Sequence, residues 1–387
     1  MSTTRRDFIR TSVVAGGAMA LGAGRPPGVG ALPSNLPSQT LTDGGNRPQS
    51  RSLRILILGG TNFLGPHQIH HALERGHQVT IFTRGRTQPT VNVEDFQRVE
   101  HLIGDRQDDL RALEGREWDA VFDNSTSRWE WARDSAQLLK DSVGRYLFVS
   151  STGVYYPYLT TDIDESVQTQ TEDESNGEDG SAVYGVMKTL GELEAQKAFG
   201  DRAIIARAQH FTGPGESQDR HGFWVDRMER GGEILAMGRR TDPVMLMDVR
   251  DLAEFCVHLV ETEVGGVFNI AGPSSLLTQE EFLHGLRFCT GKDVRWTWVD
   301  DYDFLKEHSL GFATPWVLLE GPHVGYTSIN IDRALAHGLS MRPLAQTHLD
   351  TRDWWFSEAV TEERRNNPRF PLSAEREAEI LAAWRAR

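Results

Sequence analysis

A short apolar run that ends in glycines opens a regular alternation of strand-like and helix-like segments. Residues 53–58 read Leu-Arg-Ile-Leu-Ile-Leu and pass directly into Gly59 and Gly60, as a buried strand does when it ends in a tight turn. Helical spacing follows over residues 63–75 and stops at Gly76, a common residue just beyond a helix end. Strands that alternate with helices in this way predict an α/β fold built on a parallel sheet.

The same pattern continues along the chain. Further strands are predicted at 78–82, 98–103, 118–122, 145–149 and 203–206, with helices between them at 108–113, 129–140 and 182–199. We therefore expect a Rossmann-type, doubly wound parallel sheet. After residue 212 the alternation loosens, with strands at 244–247 and 267–270 and helices at 252–261 and 279–289. This looser half predicts a smaller mixed C-terminal domain that binds the substrate.

The first 24 residues indicate an export signal rather than part of the fold. Thr4-Arg5-Arg6-Asp7-Phe8-Ile9-Arg10 precedes a short, uncharged stretch rich in Ala, Gly and Val, which is the order of such a signal. The segment is similar to the twin-arginine motif Ser/Thr-Arg-Arg-x-Phe-Leu-Lys. We therefore predict a twin-arginine signal peptide over 1–24, with export by the translocase to the periplasm or beyond the cell.

Domain limits follow from the same patterns. Residues 24–52 hold five prolines and five glycines, which predicts a disordered linker over 25–52. The predicted domains beyond it are an NAD(P)-binding domain at 53–210 to which 244–272 returns, a substrate domain at 211–243 and 273–345, and a C-terminal helical segment at 346–387.

Composition excludes several classes of protein. The 55 Asp+Glu outnumber the 41 Lys+Arg, for a net charge of −14, whereas nucleic-acid binders normally show a basic footprint. Two cysteines, Cys256 and Cys289, are too few for a disulfide framework or, by themselves, a structural zinc site. Three histidines on the first helix come without an ordered carboxylate or cysteine partner, so no metal is expected. No apolar run approaches the ~20 residues of a membrane span.

The glycine turn has the form of a dinucleotide site. Gly59-Gly60-Thr61-Asn62-Phe63-Leu64-Gly65 joins the first strand to the first helix, where backbone N–H groups and the helix dipole can meet a pyrophosphate. Asn62 stands where another glycine is usual, and asparagine tolerates a positive φ better than most residues. The residues predicted to bind an NAD(P) cofactor here are Gly59, Thr61, Asn62, Phe63, Leu64 and Gly65.

Residues after the second and third strands bear on which cofactor binds. Thr83-Arg84-Gly85-Arg86 stands where an NAD enzyme presents Asp or Glu to the ribose 2′-hydroxyl. A guanidinium instead suits a 2′-phosphate, so NADP is favoured over NAD; the alternative is that Arg84 and Arg86 are solvated loop charges. Asp105 is expected beside the adenine as an acceptor for its amine, or else it is a simple turn aspartate.

Tyr184 and Lys188 are spaced to act together. Four residues apart on the predicted helix at 182–199, they share one face. A nearby ammonium favours phenolate and should lower the pKa of Tyr184, which suits proton transfer to or from a carbinol oxygen near neutral pH. The strand end Phe148-Val149-Ser150-Ser151-Thr152, some 34 residues earlier, supplies hydroxyls to hold that oxygen.

Together these residues resemble the extended short-chain dehydrogenase/reductase family, the NAD-dependent epimerase/dehydratase group, over residues 53–290. The motifs that carry the resemblance are the Gly-Gly-Thr-x-Phe-Leu-Gly turn, Gly104-Asp105, Ser150-Ser151-Thr152-Gly153-Val154-Tyr155, Tyr-x-x-x-Lys, Arg207 with Gly213-Pro214-Gly215, residues 247–253 and residues 267–272. The resemblance implies that Ser151 orients the substrate oxygen, with Thr152 as the alternative. It also implies that Tyr184 is the acid/base and that Lys188 assists it and holds the cofactor ribose.

Two departures narrow the family's chemistry. Sugar-nucleotide dehydratases carry Asp-Glu after the catalytic Thr, whereas Thr152 is followed by Gly153. Asn62 and Arg84 are similar to an atypical branch, some of whose plant members are described as RNA-binding.

These observations predict an exported NAD(P)-dependent oxidoreductase that moves a hydride between nicotinamide and a carbinol or carbonyl carbon of a small, sugar-like substrate. The alternatives are an epimerase that uses the same residues and a non-catalytic binding protein. His210, where the chain leaves the sheet, is a further candidate for substrate contact. The expected partners are the small-molecule substrate and the translocase; nucleic acid and stable membrane insertion are not expected, and a homodimer is compatible with the sequence.

Overall fold

The computed structural model describes residues 51–124, 128–370 and 372–387. The predicted signal peptide at 1–24 lies outside the described residues, and so does the predicted linker except for Arg51 and Ser52. Among the described residues, no helix is long and apolar enough to span a bilayer.

The described strands, in chain order, are β1 Arg54–Leu58, β2 Gln78–Thr83, β3 Glu100–Ile103, β4 Trp118–Asp123, β5 Val143–Ser151, β6 Ala203–Ala208, β7 Phe211–Thr212, β8 Gly232–Met237, β9 Met247–Asp248, β10 Gly266–Ile270, β11 Val294–Val299, β12 Phe312–Ala313 and β13 Trp316–Val317. The described α-helices are α1 Leu64–Glu74, α2 Trp129–Leu139, α3 Gly180–Phe199, α4 Arg220–Arg230, α5 Val249–Glu261, α6 Gln279–Phe288, α7 Tyr302–Glu307, α8 Asp332–Ala336, α9 Leu344–Trp355, α10 Glu362–Asn366 and α11 Ala374–Arg385. Short 3-10 turns lie at Val93–Gln97, Arg111–Leu113, Thr152–Tyr155, Gly200–Arg202 and Gly321–His323.

Seven of these strands form one parallel sheet in the order β10-β6-β5-β4-β1-β2-β3. The chain runs outward from β1 to β3 in one direction and from β4 onward in the other. A crevice therefore opens at the carboxyl ends of β1 and β4, which is where such sheets bind ligands. The predicted Rossmann-type, doubly wound fold is confirmed.

Both faces of the sheet are covered, as its apolar strands require. On one face Ile55 and Ile57 pack into a core with α1 and α5, and on the other Leu56 and Leu58 pack with α2 and α3. Alternate residues of one strand thus serve two separate cores.

Some predicted elements differ in the structure. The helix expected at 108–113 is a single 3-10 turn at Arg111–Leu113, because the seven residues between β3 and that turn are taken up by a tight loop bridged between Asp105 and Asp109. The strand expected at 244–247 shrinks to β9, which pairs with β7 beside the sheet.

A second core lies beyond the sheet. The parallel pair β8 and β11 packs with α4 and α6 around Trp224, Phe282 and Trp316, all fully buried. Phe370, Leu372 and Ile380 of the C-terminal segment belong to the same core. The segment from 346 onward therefore packs as part of this second region.

Candidate active site

A long cleft of about 920 Å³ lies over the carboxyl end of β1, and the glycine turn forms its floor. Gly59 and Gly60 have φ of 107° and 100°, in the region that favours glycine. A Cβ on Gly65 would lie 2.2 Å from the Gly60 Cα. The turn is therefore a cradle without side chains that leads into the N-terminus of α1, and it fits the pyrophosphate of a dinucleotide.

The strained residue of this turn is Phe63 and not Asn62. Phe63 has φ 35°, while Asn62 is not among the residues with positive φ, so the expectation that Asn62 needs such a conformation was wrong. The Phe63 ring stacks on Phe211 with centroids 5.2 Å apart. This contact across the cleft offsets the backbone strain at Phe63. Thr61, Asn62 and Leu64 line the cleft beside it.

Arg84, Arg86 and Asp105 all line the same cleft. The two arginines are exposed at the end of β2, and within the described part of the chain no ion pair reaches them. Asp105 accepts a hydrogen bond from the Gln107 backbone N–H at 3.0 Å, a turn contact that still leaves its second oxygen. The structure thus brings the predicted cofactor residues, other than Gly65 and Lys188, to the lining of one cleft.

Four more arginines line this cleft, and the sequence patterns did not single them out as ligand residues. Three are neutralised by carboxylates, in the pairs Arg106–Asp123, Arg220–Glu216 and Arg364–Asp219. The fourth, Arg369, comes from the C-terminal segment; its Nη1 donates to the Ser217 carbonyl at 2.9 Å, and among the described residues it forms no ion pair. No local motif surrounds Arg369, so only the folded chain reveals its position.

Two glycines hold α3 close to the strand that precedes it. A Cβ on Gly185 would lie 2.4 Å from the Gly153 carbonyl oxygen, and one on Gly191 would lie 2.6 Å from the Phe148 ring. This close packing brings Tyr184 and Lys188 to the carboxyl end of β5. Tyr184 lines a cavity there, whereas Lys188 is buried beneath it.

Lys188 is fully buried behind the cleft. Its Nζ donates to the Val149 carbonyl at 2.8 Å and lies 5.1 Å from the centre of the Phe148 ring. Burial lowers the pKa of Lys188 to about 8, although the carboxylates of Asp123 and Glu192 act in the opposite direction. Its ammonium is thus held at the end of β5 rather than at the phenol.

The pKa of Tyr184 moves in the direction opposite to the prediction. Although 39% of the residue is exposed, desolvation by the surrounding protein raises this pKa, and only a hydrogen bond with Ser151 and the charge of Arg220 oppose the shift. The Lys188 Nζ lies 6.0 Å from the ring centre. The expectation that Lys188 lowers the pKa of Tyr184 is wrong because burial outweighs the distant charge.

A second cavity of about 430 Å³ opens beside Tyr184. Ser151, Thr152 and His210 line it as predicted candidates. The Ser151 hydroxyl oxygen accepts from the Gly153 N–H at 3.1 Å. His210 Nδ1 lies 3.2 Å from Arg220 Nη1, and burial lowers the pKa of His210 well below its usual range. The structure therefore brings all these candidates together with Tyr184.

The rest of this cavity was not predicted. Its walls include Gln209, Phe211 and Arg220 and five aromatic side chains: Tyr156, Tyr158, Phe312, His323 and Tyr326. The run Tyr155-Tyr156-Pro157-Tyr158 directly after the Ser-Ser-Thr motif could have indicated part of this wall, but Phe312, His323 and Tyr326 follow no readable pattern. Phe211 and Arg220 line both the cleft and the cavity, so the cavity adjoins the cleft.

A buried network supports the site from behind. Arg207 is bonded to both oxygens of Glu192 and donates to the Tyr155 hydroxyl at 2.6 Å. The Tyr155 hydroxyl in turn donates to Asn269 Oδ1 at 2.7 Å. These bonds join α3, β6 and β10 to the segment after β5, so they fix the position of the helix that carries Tyr184.

The histidines of α1 have structural contacts. His67 Nε2 bonds to the Pro214 carbonyl oxygen at 2.8 Å, and burial lowers the pKa of His67 to about 4. His70 pairs with Asp95 at 2.7 Å. Among the described residues, no group of three or more His, Cys, Asp and Glu side chains is arranged to hold a metal.

The fold, the side-chain-free glycine turn and the Ser151, Tyr184 and Lys188 arrangement define a dinucleotide-binding protein of the short-chain dehydrogenase/reductase type. The sequence pattern of the NAD dependent epimerase/dehydratase family matches residues 55–271. The chain belongs to this family.

Two curated proteins are similar over more than half of the chain. The chloroplast stem-loop binding protein of 41 kDa b from Arabidopsis thaliana is 26% identical over 240 residues, 58% of this chain and 60% of that protein. The epimerase family protein SDR39U1 from Bos taurus is 27% identical over 256 residues, 62% of this chain and 81% of that protein. The match thus leaves two-fifths of the chloroplast protein's length uncovered.

Solved structures show the same fold. UDP-glucuronic acid 4-epimerase from Bacillus cereus, in complex with NAD, has a TM-score of 0.59 at 17% identity, over 80% of this chain and all of that one. The Bordetella bronchiseptica enzyme WbmH, in complex with NAD⁺, has a TM-score of 0.60 at 15% identity, also over 80% of this chain and all of that one.

Proposed function

We propose that this protein is an exported, NADP-preferring oxidoreductase that acts on a small hydroxylated substrate. The observation that carries the proposal is the meeting of Tyr184 and Ser151 in a cavity that adjoins a dinucleotide cleft. When bound, the nicotinamide supplies or accepts the hydride at the carbinol or carbonyl carbon.

Side chains of the cavity bind the oxygen attached to that carbon and exchange a proton with it. Ser151 and Tyr184 both line this cavity, so a substrate oxygen placed between their hydroxyl groups meets two donors. Because the pKa of Tyr184 is raised, its phenol keeps its proton at neutral pH. Tyr184 is therefore ready to donate a proton to a carbonyl oxygen as that oxygen gains charge.

Lys188 is placed to hold the cofactor side of the site. Its pKa of about 8 keeps most of the side chain protonated at neutral pH. A buried ammonium group at the end of β5 can donate a hydrogen bond to the oxygen of a ribose hydroxyl group. The role is thus binding and orientation, with a smaller effect on the phenol than its spacing implied.

The proposed preference for NADP rests on arginine side chains in the cleft that form no ion pair with a described residue. Arg84, Arg86 and Arg369 line the cleft without an ion pair among the described residues, and neither Asp nor Glu stands in the segment 83–86 after β2. Three such guanidinium groups suit a cofactor with one phosphate more than NAD carries. The related structures that contain NAD support the cofactor class rather than this choice.

The test of the reaction is a coupled measurement on the purified protein. A screen of hydroxylated substrates with NADP⁺, and of the matching ketones with NADPH, should give a steady change in cofactor absorbance that Tyr184→Phe abolishes. Inversion of a substrate centre without a net absorbance change would replace oxidoreduction by epimerisation. If no substrate in the screen is either oxidised, reduced or inverted, the protein is better explained as a binding protein and the proposal is overturned.

The export part is tested separately on the whole precursor. We expect Arg5→Lys with Arg6→Lys to leave the protein in the cytoplasm, because the translocase receptor reads the arginine pair. Arg10→Lys makes the same kind of substitution at an arginine outside the pair, and it should leave export intact. Cell fractionation that finds the double variant still exported would contradict the twin-arginine signal.

A further inference from the structure

The cavity beside Tyr184 is walled by an aromatic box, defined as Tyr156, Tyr158, Phe312, His323 and Tyr326. The five rings contact one another: Tyr158 and Tyr326 lie 5.3 Å apart between centroids, and Phe312 lies 5.6 Å from both His323 and Tyr326. Phe312 is half-exposed. Phe312 therefore stands at the open edge of the cavity, while the other rings form its inner wall.

The cavity carries almost no net charge. Among the described residues that line it, Arg220 alone has a permanent charge, and the carboxylate of Glu216 pairs with it. His210 and His323 are neutral at pH 7, since burial lowers the pKa of each. The lining therefore offers neither a free cation for a phosphate or carboxylate nor an anion for an amine.

Two buried polar atoms on lining residues lack a hydrogen-bond partner within the described structure, Gln209 Oε1 and His323 Nδ1. The Gln209 amide cannot turn freely, because its Nε2 donates to the Tyr326 carbonyl at 2.8 Å. Gln209 is 3% exposed. A buried polar atom without a partner is costly, so a ligand that reaches both atoms gains from hydroxyl groups at more than one position.

Resting on the proposed function, we infer that the substrate is an uncharged ring polyol of monosaccharide size, bound without a phosphate or a nucleotide. Its C–H face packs against the aromatic box, whose ring faces carry partial negative charge. One of its hydroxyl groups meets Ser151 and Tyr184, and others bond to Gln209 Oε1 and His323 Nδ1 once a small shift of these two side chains uncovers the buried atoms. A cavity of about 430 Å³ lies toward the small end of ligand pockets.

The inference is tested by binding, measured apart from turnover. Protein saturated with NADP⁺ is titrated by calorimetry with a panel of free hexoses, pentoses and inositols. The comparison set is the matching sugar 1-phosphates and UDP-sugars, together with cyclohexanol and benzyl alcohol. We expect at least one free ring polyol to bind ten-fold or more tightly than its phosphorylated or UDP-linked form and than either simple alcohol. Tighter binding of a charged form or of a simple alcohol, or no binding of any polyol, would overturn the inference.

Two variants place the bound polyol in the cavity. His323→Phe keeps a ring but removes Nδ1, and Gln209→Met keeps the length of the side chain but removes the amide; each should weaken polyol binding at least ten-fold and leave the NADP⁺ dissociation constant unchanged. His101→Phe, on an exposed histidine of β3 remote from the cavity, is the matched control and should bind as the parent does. Equal binding by all three variants would contradict this placement.

These results separate the substrate class from the reaction. Polyol binding without any NADP-dependent chemistry would leave the substrate class standing and remove the proposed oxidoreductase. NADP-dependent turnover of a UDP-sugar, with no binding of free polyols, would keep the oxidoreductase and remove the substrate class.

Discussion

The cofactor cleft and the substrate cavity share Phe211 and Arg220 and differ in almost everything else. The cleft is long and lined with arginines, and it is floored by backbone that a Cβ would block. The cavity is half as large and close to neutral, and aromatic rings form a large part of its walls. A cleft of the first kind recognises charge and shape that are common to every dinucleotide, whereas one of the second kind selects by contacts with one particular molecule.

The difference also explains how much of each region could be predicted. The floor of the cleft comes from segments that directly follow β1 and β2, so one glycine pattern and the alternation of strands and helices located it. The cavity wall combines the segment after β5 with Phe312, His323 and Tyr326, which lie more than 150 residues further on. Such a wall has no local pattern, because contacts between distant segments exist only after folding.

Within the predicted site, positions were correct more often than electrostatics. The spacing correctly put Tyr184 and Lys188 on one helix at the carboxyl end of β5, but the pKa of Tyr184 is raised where a neighbouring charge was expected to lower it. Burial depends on everything packed around a group, and that is not contained in an i,i+4 spacing. The strain at Phe63 rather than Asn62 has a similar origin, since the stack with Phe211 supports it from a distant strand.

The largest expected effect is on turnover, and it distinguishes the cavity, where the reaction takes place, from the cleft, which only binds the cofactor. Tyr184→Phe removes only the hydroxyl group, so turnover should fall by about 10²- to 10⁴-fold, the usual contribution of a positioned acid or base. The NADP⁺ dissociation constant should stay the same, because Tyr184 lines the cavity and not the cleft. Initial rates and calorimetric titration provide the two measurements. Tyr302→Phe, in the second core, is the control; a Tyr184→Phe variant with full turnover would show that the cavity is not the reaction site.

The next effect acts on the cleft alone. Thr83→Asp with Arg84→Ala should weaken NADP⁺ binding by about 10- to 100-fold, since a charged hydrogen bond is worth about 1.5–3 kcal/mol, while NAD⁺ binds as tightly or more tightly. Dissociation constants for both cofactors measure the switch. Arg116→Ala, which breaks an exposed pair with Glu100 at the opposite end of β3, should change neither. Tighter binding of NAD⁺ than of NADP⁺ by the unaltered protein would refute the role given to Arg84.

A smaller effect tests whether the C-terminal segment belongs to the cleft. Arg369→Ala should raise the cofactor dissociation constant by up to about 10-fold, because Arg369 is exposed and its contact with a phosphate is partly screened by solvent. An equal loss of affinity for NAD⁺ and NADP⁺ would indicate that Arg369 contacts the pyrophosphate. A greater loss of affinity for NADP⁺ would indicate that it contacts the 2′-phosphate. Arg376→Ala, at a partly exposed arginine of α11 in the same segment that does not line the cleft, is the control. No change for either cofactor would remove Arg369 from the site.

The smallest effect concerns stability and lies on the substrate side. His221 of α4 is 2% exposed, and its Nε2 lies 3.3 Å from His348 Nδ1; burial lowers the pKa of His221 to about 4, against the carboxylates of Glu216 and Asp248. Between pH 6.5 and about 4 the unfolded chain therefore binds a proton at this residue that the folded chain does not. The free energy of unfolding must then decrease as the pH falls through this range, by at most about 3 kcal/mol for this one residue.

His221→Leu should remove that share of the pH dependence, so its stability should fall less than that of the parent between pH 7 and pH 4.5. Denaturant unfolding at several pH values measures the difference, and it cancels the contributions of the carboxylates that both proteins share. His101→Leu, on an exposed strand residue, should keep the parent's slope. If His221→Leu also keeps that slope, His221 is protonated as readily in the folded protein as in the unfolded chain.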